Sequence, residues 1–374
     1  MAGYDIFLKT PDGMQGNVID EFVSFEAVLR LNEIGKWSLQ SSGLTQCPFQ
    51  PGYGVIVYRD GVPLLSGIAN EFEVNKNEIS GITDWKVSGE EDTSLLKNRI
   101  IVPDPVNLDF TSASHYVYTG PCDDAILECI RVSGAELARE ERKIKNLFTA
   151  ANMSMGMIDT WRIRFGELYQ SIRQIANENG FCVRITWDKL LGHNTAEVFK
   201  PVDKSESVIF SYEYGNLKSW KRKWAAPKAN FIWCAGEGQG TSRMIVSAQD
   251  DESIERWGRI EIFKDHRDIS DETELRAAAA AFLEECKATE SYQAEIIPVE
   301  NMQYRTNWDL GDVVTVAPDQ ERFTAAITEV KISYADLTET ITPTIGKLNE
   351  GILSPTKALI ESVSDRVAIL EGVE

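Results

Sequence analysis

An Asp-Gly pair at residues 60 and 61 separates two runs of β-forming residues, YGVIVYR and VPLLSGIA. Both members of such a pair readily adopt positive φ, so the pattern predicts a two-residue β-hairpin. Similar runs with turn residues between them recur through residues 1–90: YDIFLKT, FVSFEAVLRL, KWSLQSS and ISGITDWKVSG. Short strands at this regular spacing indicate a small antiparallel barrel or sandwich, which we place at residues 1–109.

Residues 110–200 mix helical and strand patterns, after a break at Pro103 and Pro105. Two helices are predicted in PCDDAILECIRVSG and FGELYQSIRQIANENG, each with apolar residues at helical spacing and a glycine at its end. The runs FCVRITWD and AEVFKP predict a pair of strands, while the polar residues 135–160 predict a loop. We therefore expect an α+β insert domain here.

Strand patterns return near residue 206 and continue to LGDVVTVAP, FTAAITEVKISY and TETITPTIGK. One strong helix interrupts them, with Ser270 or Asp271 as its N-cap. Its predicted buried face consists of Leu275, Ala279, Phe282 and Cys286. We predict a second antiparallel β-barrel with one helix over residues 226–349, and we expect residues 201–225 to complete the first barrel. The predicted fold class is mainly β with an α+β domain between two small barrels.

Residues 350–374 form a separate C-terminal segment that predicts a short helix. Its apolar residues have the three-four-three spacing of a coiled-coil seam. These residues are Ile360, Val363, Val367 and Leu370. Because the seam covers fewer than two heptads, two interpretations stay open: an amphipathic helix docked on its own domain, or the start of a symmetric oligomer coil. In the second interpretation these four side chains are the interface.

The stretch CAGEGQGTSR places glycines at 236, 238 and 240, which raises the question of a phosphate-binding loop. Phosphate loops lead into a helix, and a P-loop also carries Lys-Ser or Lys-Thr. Here the following residues, TSRMIVSAQ, are β-branched and alternating, and the acidic residues Glu237 and Asp250 lie nearby. The pattern therefore favours a β-hairpin whose glycines allow positive φ.

No other motif points to enzymatic chemistry. The histidines, His115, His193 and His266, have no metal-ligand spacing, and no GxSxG sequence is present. The six cysteines are scattered without a CxxC pair, which predicts reduced, buried thiols. We expect no catalytic, cofactor-binding or metal-binding residues and no enzymatic activity.

The formal net charge of −20 argues against binding to nucleic acid or to an anionic membrane, because both need clustered basic residues. No apolar run reaches 18 residues, and the N-terminus lacks the pattern of a signal peptide, so we expect neither a membrane span nor a secretory leader. The one basic-aromatic cluster is WKRKWA at residues 220–225. As a strand it would place Trp220, Arg222 and Trp224 on one face.

The order of these segments resembles the tail-hub family of long-tailed bacteriophages, of the Tal or baseplate-hub type found in siphophages. The resemblance spans roughly residues 1–350. It depends on the order and spacing of several segments: YGVIVYRDGVPLLSGIANEF, Asn230–Arg243, the helix near Asp271, and Trp308–Val316 with Ile327–Gly346.

The resemblance implies a homotrimer located at the tail tip of the virion and made in the cytoplasm of the bacterial host. Each subunit would carry two tail-tube-like barrels, so that three subunits match the six-fold tail tube to a three-fold tip. Such a hub closes the tube and gates genome release. Its expected partners are the distal tail protein ring, the tape measure protein and tail fibre or receptor-binding proteins, with DNA passing through the lumen without specific binding.

Two alternatives remain at this point. One is a carbohydrate-binding tail module that uses Trp220, Trp224 and Trp233. The other is a tail-associated cell-wall hydrolase, for which the sequence offers no catalytic constellation. Tal-type relatives often continue into a peptidase, lysin or fibre region, whereas this sequence ends at Glu374. We therefore expect wall degradation and host adsorption to be the work of other proteins.

Overall fold

The computed structural model describes residues 3–43, 47–76, 83–111, 113–267, 269–297, 299, 302–318 and 322–346. The chain forms two compact units, the first comprising Met1–Trp220 with Ala294–Ile345. The second unit contains Lys221–Gln293. The segment with Ile360, Val363, Val367 and Leu370 lies outside the described residues, so the predicted C-terminal helix and its seam stay predictions.

The described residues are mainly β. The strands are β1 Tyr4–Lys9, β2 Gln15–Val18, β3 Ser24–Arg30, β4 Lys36–Gly43, β5 Gly54–Arg59, β6 Val62–Lys76, β7 Thr83–Glu91, β8 Ile100–Ile101, β9 Tyr116–Pro121, β10 Leu147–Thr149, β11 Ile158–Ile163, β12 Gly166–Glu167, β13 Cys182–Asp188, β14 His193–Phe199, β15 Ile209–Ser211, β16 Leu217–Ala225, β17 Phe231–Ala235, β18 Ile245–Gln249, β19 Glu261–Asp265, β20 Thr289–Ile296, β21 Val313–Ala317, β22 Phe323–Ala335 and β23 Thr338–Gly346. The α-helices are α1 Cys122–Gly134, α2 Leu168–Asn179, α3 Asp251–Trp257 and α4 Glu272–Cys286. Short 3-10 turns occupy Asp92–Asn98, Glu140–Arg142 and Gly240–Ser242.

One sheet of 13 strands dominates the fold, in the order β16-β20-β23-β22-β3-β4-β7-β6-β5-β1-β2, with β21 and β15 attached to β22. Strand β22 pairs antiparallel with β3, which places the C-terminal strands beside the N-terminal ones. Among the described strands no pairing joins the two ends of this order. The two closed barrels and the α+β insert domain therefore stay predictions, whereas the mainly β class is confirmed.

The predicted hairpin at Asp60 and Gly61 is confirmed. Arg59 lies opposite Val62 in the β5–β6 ladder, and the two turn residues have φ of 53° and 76°. Positive φ at both central residues is the requirement of a type I′ turn, whose twist matches that of the flanking strands. A short sequence signal was sufficient here because the geometry is entirely local.

Alternation along β3 buries one of its faces. In β3, Phe25, Ala27 and Leu29 are at most 2% exposed, while Glu26 is exposed. Trp85 of β7 and Trp308, which lies outside the strands, add large buried side chains to the same cluster. Burying an aromatic side chain of this size stabilises the fold by several kcal/mol, at about 25 cal/mol per Å². This cluster is the main core of the first unit.

The insert has its own core, built by the two predicted helices against β13, β14 and β10. Helix α2 ends as predicted at Gly180, which has a φ of 69°, and the Glu167 side chain accepts from the Tyr169 amide at its start. The predicted loop over residues 135–160 is wrong in part. It contains β10, which pairs parallel with β14, and the start of β11, which pairs with β9. Strands this short carry no readable periodicity.

A bulge in β6 brings two backbones into close approach. The β6–β7 register shifts between Ala69 and Glu71, and Gly89 lies opposite Ala69. A Cβ at Gly89 would lie 1.8 Å from the Ile68 carbonyl oxygen and 2.8 Å from the Trp37 ring. The space is closed by backbone and by a buried indole, so only glycine fits.

We expect Gly89→Ala to lower the free energy of unfolding by about 2 kcal/mol or more, because the ladder must separate to admit the methyl group. Urea unfolding followed by tryptophan fluorescence measures the change. The matched control is Gly3→Ala, where the nearest atom to the new Cβ is 3.9 Å away. Equal stabilities for the two variants would contradict the close approach.

Candidate interaction surface

The second unit is built on a three-stranded sheet in the order β18-β17-β19, with β18 antiparallel and β19 parallel to β17. Helix α4 covers one face of this sheet. Ile232 and Cys234 of β17 point to that face and are fully buried against Leu275 and Ala279 of the helix. Asp271 is the N-cap, since its side chain accepts from the Glu274 amide at 2.9 Å. The predicted helix and its cap are confirmed, although Phe282 is only partly buried and Leu283 lies in the core.

The glycine-rich stretch is the loop between β17 and β18, which confirms the β-hairpin interpretation. Gly238 has a φ of 114°, and a Cβ there would meet the Arg243 backbone at 2.8 Å. The Arg243 guanidinium closes the loop by donating to the Gly236 carbonyl at 2.9 Å and pairing with Asp265. Because its charge is used inside the loop, this arginine does not act as a phosphate ligand.

The other face of this sheet carries exposed aromatic and aliphatic side chains. Trp233 is opposite Phe263, and Ile245 is opposite Ala235. Trp233, Phe263 and Ile245 are 40%, 48% and 57% exposed. We call this surface, made of Trp233, Ile245 and Phe263, the open face. Exposed aromatic clusters of this kind are typical of contact surfaces between proteins.

Arginine stacking orders one end of the open face. The Arg259 guanidinium lies 3.6 Å from the centroid of the buried Phe231 ring and pairs with Glu261 at 2.6 Å. The Phe231 and Trp233 rings are 4.9 Å apart. Trp233 is therefore held against a ring that is itself fixed, and such a preorganised aromatic loses little side-chain entropy on binding.

The tryptophans of the basic-aromatic cluster differ in environment. Trp220 is partly buried against the main core, whereas Trp224 is 62% exposed and contacts Trp257 with ring centroids 5.6 Å apart. Trp257 ends α3, a helix missed by sequence analysis because it spans only seven residues. Its N-cap signal was present: the Asp250 side chain accepts from the Ser253 amide. Lys221 and Lys223, beside Trp224, are exposed.

Two clefts are the candidates for a small-molecule site, both in the first unit. One, of about 40 Å³, is lined by charged residues that include Glu91, Arg184 and Arg305. It has room for ordered water and not for an organic ligand. The other, of about 270 Å³, lies between β11 and α2 and is lined by residues that include Trp161, Arg162 and Glu178. None of its lining residues is a histidine or cysteine.

Glu91 is the one carboxyl group in these clefts whose proton affinity changes strongly. Burial raises its pKa to about 7, and this effect exceeds the opposing hydrogen bond from the Gly35 amide at 2.9 Å. Arg305 and Arg184 also lower this pKa, whereas the neighbouring Asp92 raises it. The folded protein therefore holds the Glu91 proton more tightly than the unfolded chain does.

We expect this carboxyl group to make the protein less stable as pH rises from 4.5 to 7, since ionisation then favours the unfolded chain. Glu91→Gln keeps the acceptor for Gly35 and removes the titration, so its unfolding midpoint falls less over this range. Urea unfolding at several pH values measures the difference. Glu71→Gln, at an exposed carboxylate, is the control. Parallel pH profiles for wild type and Glu91→Gln would contradict the assignment.

The remaining sequence candidates occupy structural positions. All six cysteines lie within the described residues and are free, five of them buried. Burial raises the pKa of Cys129 and of Cys182 to about 12, which keeps both thiols protonated. His115 contacts Ser114, and His193 lies against the Phe148 ring. Within the described residues, no three His, Cys, Asp or Glu side chains are grouped as metal ligands, and no helix is long and apolar enough to cross a membrane.

The fold is that of phage tail proteins. The tail protein from Neisseria meningitidis MC58 is similar with a TM-score of 0.59 and 14% identity, covering 95% of this chain and 99% of its own. The 43 kDa tail protein of prophage MuSo2 from Shewanella oneidensis has a TM-score of 0.58 and 12% identity. The match covers 92% of this chain and 98% of that protein. Prophage tail protein gp18 from Listeria monocytogenes EGD-e has a TM-score of 0.52 and 12% identity. The match covers 96% of this chain and 99% of that protein. No curated protein matches the sequence.

Residues 6–347 match the model of the Siphovirus ReqiPepy6 Gp37-like protein family, and the chain belongs to this family. It is therefore a structural protein of the phage tail and a component of the virion. The resemblance inferred from the order of the sequence segments is confirmed.

Proposed function

We propose that three copies of this chain form the hub of a phage tail tip. The hub adapts the six-fold tail tube to a three-fold tip, closes the tube and gates genome release into the host. The observation that carries this proposal is the pairing of β3 with β22. It joins two β-rich regions side by side in one subunit, as a protein needs if three copies are to present six similar modules to a ring.

The strand order supports two modules within the large sheet. Strands β1 to β7 are contiguous on one side of the β3–β22 ladder, and β20 to β23 lie on the other. We propose that these two groups become tail-tube-like barrels, with the α+β insert of residues 110–200 projecting between them. The strand order attaches β16 to β20 and β15 to β21, so residues 201–225 belong with the second group and not, as sequence analysis expects, with the first.

The charge of the chain fits passage of DNA through the hub. A net charge of −20 per subunit gives a trimer a strongly negative field, which repels the phosphate backbone and opposes sticking. The proposed partners along the tube are the distal tail protein ring and the tape measure protein. Tail fibre or receptor-binding proteins would contact the outer surface.

The open face is the surface that we assign to contact between copies. A closed ring of three uses heterologous contacts, so each subunit must present two different, complementary patches. The open face would be one of these patches, and the exposed strand β16, which carries Lys221, Lys223 and Trp224, would be the other.

Two other functions remain as alternatives. A carbohydrate-binding module would use the exposed Trp224 and Trp233, since sugars stack on flat aromatic rings. Specific glycan binding by a monomer would favour this module over the hub. A cell-wall hydrolase would require peptidoglycan cleavage that a single carboxylate substitution abolishes.

The first test is the mass of the purified chain by light scattering. We expect a trimer, about 126 kDa, which is three times the 41.9 kDa of one chain. Removing residues 350–374 tests the seam of Ile360, Val363, Val367 and Leu370. If the trimer dissociates on truncation, the seam is an interface between subunits. If the trimer stays intact, the seam packs against its own domain. A monomer at high concentration in both forms would contradict self-assembly of the hub.

We expect Trp233→Ser with Phe263→Ser to weaken the trimer at least about tenfold in dissociation constant, because buried aromatic contacts dominate interface energies. Sedimentation velocity over a concentration series measures the shift. Leu190→Ser is the control, since Leu190 is 94% exposed on the β13–β14 turn. An unchanged trimer in the double variant, with a normal circular dichroism spectrum, would remove the open face from the subunit contact.

A further inference from the structure

A buried polar cluster lies at the centre of the first unit, where the large sheet meets the insert. We call it the lysine cluster. Its members are Lys9 on β1, Ser66 on β6, Asp92 at the start of a 3-10 turn and Asn194 on β14. Their exposed fractions are 4%, 1%, 0% and 1%. No function assigned so far uses these four side chains.

One carboxylate oxygen joins the lysine to the asparagine. Lys9 Nζ donates to Asp92 Oδ2, and Asn194 Nδ2 donates to the same oxygen at 2.6 Å. The Ser66 hydroxyl also contacts this oxygen and lies 3.1 Å from Asn194 Oδ1 and 3.4 Å from Lys9 Nζ. Asp92 Oδ1 is buried and has no hydrogen-bond partner among the described residues.

The hydrogen bonding of this buried ion pair is incomplete. An ammonium and a carboxylate removed from water each lose several kcal/mol of hydration, and their attraction offsets this only when every remaining hydrogen bond is made. Here one carboxylate oxygen has none. Transfer of a proton from Lys9 to Asp92 replaces two buried charges with a neutral amine and a neutral acid. A neutral amine is a nucleophile, and the Asn194 carboxamide is hydrogen-bonded to the same Asp92 oxygen as Lys9 Nζ.

We propose that Lys9 and Asn194 condense to form an intramolecular isopeptide bond, with Asp92 as the catalytic proton carrier. The Lys9 Nζ lone pair attacks the Asn194 carboxamide carbon, forming the new C–N bond. Protonated Asp92 supplies a proton to the developing oxyanion, and the Ser66 hydroxyl donates to that oxygen. The attacking nitrogen returns a proton to Asp92.

The bond to Asn194 Nδ2 then breaks. Asp92, which already contacts this nitrogen, protonates it, and ammonia leaves. The hydroxyl oxygen then gives its proton to the Asp92 carboxylate as the carbonyl re-forms. The products are a secondary amide between Lys9 and Asn194 and one molecule of ammonia, with no oxidant or reductant required. The arrangement satisfies the requirements of the step: a desolvated amine, a shared acid beside both nitrogens, and a donor at the carbonyl oxygen.

This bond would join β1 of the large sheet to β14 of the insert. The two residues are far apart in the sequence, so the cross-link would constrain most of the first unit against separation of its two cores. The inference depends on the side-chain geometry and does not depend on the proposed trimer.

Intact-mass spectrometry of the denatured full-length chain tests the proposal. We expect a mass about 17 Da below the sequence mass, because one ammonia is lost. After proteolysis, the peptides containing Lys9 and Asn194 should be recovered as one branched species. Lys9→Met, Asp92→Asn and Asn194→Ala should each restore the mass expected for the substituted sequence.

Lys97→Met is the control, since Lys97 also lies near a carboxylate, 3.6 Å from Glu90, but on the surface. The Lys97→Met variant should still have a mass about 17 Da below that of its sequence, because its cross-link is intact. A wild-type chain with the full sequence mass and separate Lys9 and Asn194 peptides would overturn the proposal. A deficit of about 18 Da with Lys9 joined to Asp92 would overturn the assignment of Asn194, since water and not ammonia would have left. The mass of the wild-type chain tests the proposed bond even if a variant fails to fold.

Discussion

The ladder between β3 and β22 is the interaction on which the first unit depends. It runs in register from Arg30 opposite Glu329 to Ser24 opposite Ala335. Arg30 and Glu329 also form an ion pair at 2.8 Å. Because the paired strands come from opposite ends of the chain, the ladder can form only after a very long loop has closed. Without it, β3 and β22 would each present an unpaired edge.

A second connection between the same regions reinforces this ladder. Glu339 of β23 accepts from Arg59 Nε at 2.6 Å and from Arg59 Nη2 at 2.7 Å, and it also accepts from the Tyr4 hydroxyl. The two ionic side chains are only 15% and 10% exposed, so water screens them weakly. Burial and the adjacent Glu339 raise the pKa of Tyr4, which keeps its hydroxyl protonated as a donor. The hydrogen bond to Glu339 likewise raises the pKa of Arg59.

Local features of this fold were predictable and long-range ones were not. The Asp60-Gly61 turn, the Gly180 helix end and the Asp271 cap depend only on neighbouring residues, and all three are as predicted. The pattern of FVSFEAVLRL predicted a strand, but it carries no information on which strand lies beside it. The segments that were missed, such as β10 and α3, are too short to show a period and are stabilised by their neighbours.

Sequence analysis also identified the residues of the candidate surfaces only in part. Sequence analysis identified Trp224 and Trp233 as candidates but also included Trp220, which packs against the main core. The lysine cluster was not found, because its members lie on three strands and a turn that are distant in the sequence. Lys9 follows an alternating run and looks like a polar strand end. Its burial is visible only when Asp92 and Asn194 are placed beside it.

The open face follows from the small size of the second unit. A three-stranded sheet has two faces, and the single helix α4 can cover one of them, where Ile232 and Cys234 are buried. Its alanine run, Ala277–Ala281, allows a close approach but adds little volume. The opposite face keeps Trp233 and Phe263 exposed in a chain with a net charge of −20. Like-charge repulsion would oppose association of such acidic chains in the proposed trimer, which is why we assign its contact to an aromatic surface.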